Sequence, residues 1–239
     1  PKLQRDLFDV LLRFRKYPVA LVCDIAEMYL QIGLKAQDKP FHRFLWRAEP
    51  DKPPDTYQFN RLVFGVNCSP FLAQLVSQKH ANILVNDYPT AADTVLKSTY
   101  MDDSMDSVPD AQQGIELYNQ LSNLWKEAGM HARKWLSNDP DVLKEIPPED
   151  RSKEVNLETA NMPAIKPLGV WWSSAEHTFN VKSSENKEET ILTKRKLLSK
   201  IATVFDPIGM VAPVIVRGKM LLQEIWMSGL DWDDPLNTE

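Results

Sequence analysis

Apolar positions recur every three or four residues at the start of the chain, at Leu3, Leu7, Leu11 and Phe14. That spacing predicts an amphipathic helix, decorated by Arg5, Arg13, Arg15 and Lys16. After Pro18 the pattern changes: residues 19–23 form a continuous apolar run, as a buried strand would. Residues 41–46 and 57–63 alternate as strands do, and the turn-rich stretch 49–55 between them predicts a hairpin. Ser69-Pro70 marks the next helix start, with a residue able to cap orphan amides and a proline suited to the first turn. Leu72, Leu75 or Val76, and Ile83 give that helix its apolar face. Residues 94–100 and 104–108 flank a tight turn. Ala111, Ile115, Tyr118, Leu121 or Ser122, Trp125 and Ala128 then trace a helical stripe that Gly129 closes.

Further on, residues 142–163 are polar, proline-containing and weakly periodic, and read as irregular. Residues 168–172 and 178–181 predict another hairpin. From Thr190 the character turns helical: Leu197, Ile201, Val204 and Phe205 share a face, and Pro213 opens a second helix that Ser228-Gly229 stops. This order predicts an α+β layer, helices on one face of an antiparallel sheet, over residues 1–182. A smaller helical unit over 183–239 follows.

Composition narrows the function classes. The 239 residues are 43% hydrophobic and 26% charged, which excludes a disordered or fibrous chain. A net charge of −5 excludes a wholesale basic nucleic-acid binder but leaves room for a local basic face. Cys23 and Cys68 show no pairing pattern, against disulfide scaffolds and zinc modules. No apolar run approaches the ~18 residues of a membrane span. The chain opens on Pro1 without a signal-peptide pattern, so we expect a piece of a longer polypeptide in a reducing compartment.

The sharpest chemical feature is Tyr100-Met101-Asp102-Asp103. Adjacent carboxylates at a turn repel one another unless a cation lies between them, and hard oxygen ligands suit Mg²⁺. The same doublet also reads as a solvated turn, as Asp233-Asp234 does near the end of the chain. A third carboxylate, Asp24, follows the buried run of residues 19–23. If its strand lies beside the Tyr100 hairpin, Asp24, Asp102 and Asp103 converge and can hold two divalent ions ~3.5–4 Å apart. Asp24 reads alternatively as a helix cap for residues 25–30.

Three segments then carry a family resemblance. Val22-Cys23-Asp24-Ile25-Ala26-Glu27-Met28-Tyr29, Phe64-Gly65-Val66-Asn67-Cys68-Ser69-Pro70-Phe71 and Tyr100-Met101-Asp102-Asp103 stand in the order of reverse transcriptase motifs A, B and C. Residues 129–135 resemble motif D, and Leu168-Gly169-Val170-Trp171-Trp172 resembles motif E, the primer grip. Lys194-Arg195-Lys196-Leu197-Leu198-Ser199 and Phe205-Asp206-Pro207-Ile208-Gly209 resemble the pol polyprotein of Bel/Pao-type long-terminal-repeat retrotransposons.

The resemblance implies a polymerase palm of ferredoxin or RRM-like topology, with partial fingers and a helical thumb or connection. It implies an RNA-directed and DNA-directed DNA polymerase that joins a deoxynucleotide to a primer 3′-hydroxyl. Asp24 and Asp102 would be the principal metal ligands and Asp103 the third acid, for two Mg²⁺ or Mn²⁺ ions. Lys134 would be the motif D lysine near the leaving diphosphate. Tyr29 matches the steric gate against a ribose 2′-hydroxyl, and otherwise reads as a core aromatic. Phe64 occupies the place of a nucleotide-contacting Gln in retroviral enzymes. Gly65, Ser69 and Pro70 would shape the loop that meets template and nucleotide, with Gln74 one helical turn on. Met101 would lie under the primer terminus, and Gly169 and Trp171 would hold the primer strand, where Trp171 otherwise reads as core.

Lys194, Arg195, Lys196, Lys200, Arg217 and Lys219 face Asp206 alone between residues 191 and 220, so positive charge gathers where a thumb would grip a duplex. Template-primer, dNTP and the protease, RNase H and integrase modules of such polyproteins are the implied partners, the last three not visible in this sequence. The setting implied is the cytoplasm, within virus-like particles. Of the region before motif A, where the family's fingers bind triphosphate, the chain holds residues 1–17. Two rivals stay open: an RNA-dependent RNA polymerase palm, and a non-catalytic nucleic-acid-binding or assembly fragment.

Overall fold

The apolar run after Pro18 becomes β1 of a mixed α/β fold, and the reason is visible in its burial. In the computed structural model, which describes residues 3–153, 164–181 and 191–236, every residue from Val19 to Cys23 is buried. A strand covered on both faces has no use for polar alternation. The chain falls into two units, residues 1–161 and 162–239.

In the first unit α1 (Leu7–Phe14) starts at Asp6, whose carboxylate accepts from the Phe8 amide. After α1, β1 runs Val19–Ile25 and the short α2 spans Met28–Gln31. A hairpin of β2 (Arg43–Trp46) and β3 (Asp55–Gln58) follows, exposed along its length. Next come α3 (Ser69–Ile83), α4 (Pro89–Lys97), β4 (Thr99–Tyr100), β5 (Asp103–Val108), α5 (Ala111–Glu127), β6 (Ala132–Ser137) and α6 (Pro140–Glu145). The four-stranded sheet has the order β4-β5-β1-β6, all antiparallel.

Two helices share one face of this sheet. Gly114 of α5 lies against Val19 and Leu21 of β1. Thr94 of α4 donates its hydroxyl to Asp106, the cross-strand partner of Leu21. Directly paired residues point to the same side, so α4 and α5 cover the Leu21 side. Asp24, of opposite parity, belongs to the other side.

Several sequence expectations change here. Residues 94–97 belong to α4, and the strand before the turn is only Thr99–Tyr100. Residues 132–137 form β6, which the apolar pattern did not announce. Residues 142–145 of the stretch read as irregular belong to α6, and most of the remainder (154–163) lies outside the described residues. The helix at the start begins at Leu7.

The second unit holds a three-stranded sheet, β7 (Ala164–Ile165), β8 (Trp171–Ser173) and β9 (Thr178–Asn180), then α7 (Lys194–Ala202) and α8 (Ala212–Met227). Thr193 caps α7 by accepting from the Lys196 amide. The division between units sets the Trp171 hairpin with α7 and α8. Among the described residues no helix is long and apolar enough to cross a membrane.

Candidate active site

The β1–β5 register decides where the acids go. It pairs Val19 with Val108 and ends with Asp24 opposite Asp103. Cross-strand partners hold their Cβ atoms ~4.5–5.5 Å apart on one face, so two carboxylates are side by side. Tyr100 pairs with Asp103 across the β4–β5 hairpin, leaving Met101 and Asp102 as its two turn residues. Met101 takes φ 59°, a left-handed conformation rare for a long side chain. The Asp102 carbonyl accepts from the Ile25 amide at 3.0 Å, which ties the turn to the end of β1. Asp24, far away in sequence, therefore meets the adjacent Asp102 and Asp103 at one corner of the sheet.

The crowding shows in their chemistry. Burial raises the Asp103 carboxyl to about 6, with further upward pushes from Asp102 and Asp24 and a downward pull from Lys134. Asp24 carries its own counter-charges: Arg133 Nε approaches one carboxylate oxygen at 3.2 Å and Lys134 Nζ the other at 3.3 Å. Among the described residues no group of three or more His, Cys, Asp or Glu side chains forms a ready-made metal cage. Basic side chains neutralise this corner instead.

Asp24 does not cap the following helix. That place belongs to Glu27, whose φ of 50° turns the chain sharply from β1 into α2. The sharp turn sets Tyr29, buried with 6% exposure, just past the acid corner. Burial, then the nearby Asp102, raises the Tyr29 phenol and keeps it protonated. Residues 60–62 run back along 32–34 through the Leu34–Asn60 and Leu62–Ile32 backbone bonds. This brings Phe64 against Tyr29, ring centroids 4.5 Å apart.

Tyr29, Phe64, Gly65, Ser69 and Pro70 line a cleft of about 310 Å³. Gly65 takes φ 87° there, a conformation open to glycine. Ser69 is not the helix cap; Cys68 holds that position. The Ser69 hydroxyl donates instead to the Val63 carbonyl at 2.6 Å and pins the loop shut. Gln74, buried on α3, donates to the Met101 carbonyl at 3.3 Å and braces the strained turn.

The second-unit residues lie around β8 and on α7. Gly169, at φ 84°, has the Phe205 ring directly where a Cβ would go, and Trp171 opens β8 half-buried. Lys194, expected to grip nucleic acid, is 3% exposed: it donates to the Leu230 carbonyl, with its ammonium 4.5 Å from the Trp226 ring centroid. Its charge is spent inside the protein. Arg195 forms a two-pronged pair with Asp233, and Lys196 reaches the Ile191 carbonyl. Sequence reasoning missed Arg133, whose approach to Asp24 depends on strand geometry that no residue pattern announces.

Comparison with known families bears on this arrangement. Residues 3–134 match the family described as reverse transcriptase (RNA-dependent DNA polymerase). Residues 193–239 match the Pao retrotransposon-like RNaseH-like domain, over the stretch read above as thumb or connection and against the expectation that no RNase H module is visible in this sequence. No curated protein matches the chain.

Proposed function

Because the chain belongs to the reverse transcriptase family, and is an RNA-directed DNA polymerase of Bel/Pao retrotransposon type, we propose that its acid corner performs nucleotidyl transfer to a primer. The primer 3′-hydroxyl loses its proton to water as its oxygen attacks the α-phosphorus of a deoxynucleotide, the bond from that phosphorus to the β-phosphate oxygen breaks, and diphosphate leaves. The observation that carries this reading is the Asp24–Asp103 pairing with Asp102 on the adjoining turn.

The donor chemistry suits divalent cations, which would displace Arg133 and Lys134 from Asp24 as they draw the three acids together. Asp24, Asp102 and Asp103 offer hard carboxylate oxygens, and the upward push on Asp103 is relieved by positive charge. Two Mg²⁺ or Mn²⁺ ions held there would supply charge for the nucleophile and the leaving group. The remaining work belongs to this chain's side chains. Tyr29, wedged by Phe64, walls off the space of a ribose 2′-hydroxyl. Gly65, Ser69 and Pro70 shape the loop beside the nucleotide, and Gln74 holds Met101 under the primer terminus. Lys134 offers a cation and a proton to the departing diphosphate. In this reading the four-stranded sheet with α4 and α5 is the palm, β2–β3 belongs to the fingers, and the primer grip lies at Gly169 and Trp171. Arg195 and Lys196 bind the duplex backbone as part of a thumb or connection.

Primer extension on an RNA template with Mg²⁺, comparing the chain with Asp102→Asn, tests it. The variant is expected to lose at least about three orders of magnitude in rate, since charge stabilisation of this kind is the dominant catalytic contribution. Equal extension by both proteins would remove Asp102 from the mechanism.

A further inference from the structure

Adjacent residues of a regular strand point to opposite faces, yet Arg133 and Lys134 both reach the same carboxylate, one on each oxygen of Asp24. A β-bulge makes this possible. The β1–β6 register pairs Val22 with Leu136 and Asp24 with Arg133, so Lys134 and Trp135 together oppose Cys23 alone. Lys134 takes φ 54° at that point, a left-handed conformation that β-branched and long side chains avoid without cause. Bulges of this kind re-aim side chains beside functional sites. Here the result is a row across three strands, Asp103, Asp24 and Arg133, with Lys134 swung in beside it.

Arg133 is the member of this row that the mechanism above leaves unused. It commits only Nε to Asp24, at 3.2 Å; its two terminal nitrogens make no hydrogen bond among the described residues. The side chain is 43% exposed, so the guanidinium lies at the surface of the site and not inside the core. A planar guanidinium with a free two-donor edge suits phosphate oxygens. Two cations on one carboxylate also exceed what Asp24 alone needs, and cations bound by the acids would release both.

We propose that Arg133 is a second phosphate-binding residue of this site, held beside Lys134 by the bulge and directed to the diphosphate part of the incoming nucleotide. This rests on the polymerase reading, and deepens it by naming the group that orients the leaving diphosphate. The bulge is then the device that gives one short strand two cations on the same side.

The test is calorimetric titration of the full chain with inorganic pyrophosphate and Mg²⁺, using wild type, Arg133→Ala, Arg133→Lys and Lys134→Ala. Arg133→Ala is expected to weaken pyrophosphate binding about tenfold, and Arg133→Lys to recover only part of it, because an ammonium cannot fork. In primer extension, Arg133→Ala is expected to raise KM for the deoxynucleotide about as much while kcat stays within about twofold, the mark of lost ground-state binding. Pyrophosphate binding to Arg133→Ala as tight as to wild type overturns the proposal, as does failure of the wild type to bind pyrophosphate. If the wild type extends no primer while Arg133→Ala binds pyrophosphate more weakly than wild type, the anion site stands and the polymerase reading falls.

Discussion

Tyr29 and Phe64 meet with their ring centroids 4.5 Å apart and their planes tilted by 49°. Tyr29 is buried, whereas Phe64 is 70% exposed and forms the outer wall of the cleft. The pair comes together because residues 60–62 are zipped to 32–34, which delivers the loop before α3 to the end of α2. Phe64 thus limits where the Tyr29 ring can move, as tilted aromatic pairs do at this separation.

A gate made of two rings predicts a graded response. Tyr29→Ala is expected to raise ribonucleotide incorporation relative to deoxynucleotide on the order of 10-fold to 100-fold, about what shape alone discriminates for one hydroxyl. Phe64→Ala should give a smaller change in the same direction, because Tyr29 keeps its place on α2 but loses its outer neighbour. The ratio of kcat/KM for paired ribo- and deoxynucleotides measures both. Unchanged ratios in Tyr29→Ala would leave it as an ordinary buried aromatic.

Asp103 predicts an unusual pH dependence of stability. Its carboxyl is raised to about 6 by burial, then by Asp102 and Asp24, against ~3.9 in an unfolded chain. The folded state therefore holds this proton more tightly. The group's contribution to stability is complete below about pH 4 and is lost as pH rises through 6. Asp103→Asn removes the titration, so in chelator it should be more stable than wild type by about 2 kcal/mol at pH 7.5, converging near pH 4. Urea unfolding across that range reads it out, and a pH-independent gap would refute the coupling. Millimolar Mg²⁺ should narrow the gap at pH 7.5 by stabilising the wild type.

How far the sequence reveals this structure depends on the range of the interactions involved. Residues 19–23 and the stripe on α5 were legible because burial on both faces or on one leaves a period. The Asp102 turn was legible because paired acids flanked by strand-forming runs are chemically conspicuous. β6 was not, since Ala132-Arg133-Lys134-Trp135 does not alternate, and the bulge that spoils its alternation is what brings Arg133 to Asp24. α4 was obscured by its short length and by Thr94, whose hydroxyl goes to Asp106 instead of solvent. The burial of Lys194 was not legible for a similar reason: its partners Trp226 and Leu230 lie a helix away in sequence.

Gly114 offers a test of the packing between α5 and β1. A Cβ there would stand 2.7 Å from Val142 Cγ2 and 3.3 Å from Val19 Cγ1. Alanine is the better helix former by about 1 kcal/mol, but overfilling a close-packed contact costs about 1–3 kcal/mol. The second effect should win, so Gly114→Ala is expected to destabilise the chain by about 1 kcal/mol. Val142→Ala in the same protein should offset part of that loss, because the two side chains would share one space. A thermal-unfolding double-mutant cycle measures the coupling, and additive effects would show that the helix simply shifts outward.

Lys194 and Lys196 sit on the same helix yet should separate cleanly. Lys194 is buried, donates to the Leu230 carbonyl, and has its ammonium 4.5 Å from the Trp226 centroid and 5.9 Å from the Trp232 centroid. Lys194→Ala removes the cation from between two indoles and leaves the Leu230 carbonyl without this donor. The expected cost is about 2–3 kcal/mol of stability in the unit formed by residues 162–239, within the range for a buried charged hydrogen bond. Lys196 is half-buried, and its ammonium reaches the Ile191 carbonyl at the surface, at 3.0 Å. Lys196→Ala should change stability by no more than about 0.5 kcal/mol. If α7 meets a nucleic-acid duplex, this variant should also reduce the slope of log affinity against log salt by about 1. Paired measurements of melting temperature and salt-dependent duplex binding distinguish the two. A Lys194→Ala protein that melts as wild type does but binds duplex more weakly would reverse their roles and return Lys194 to the nucleic-acid surface.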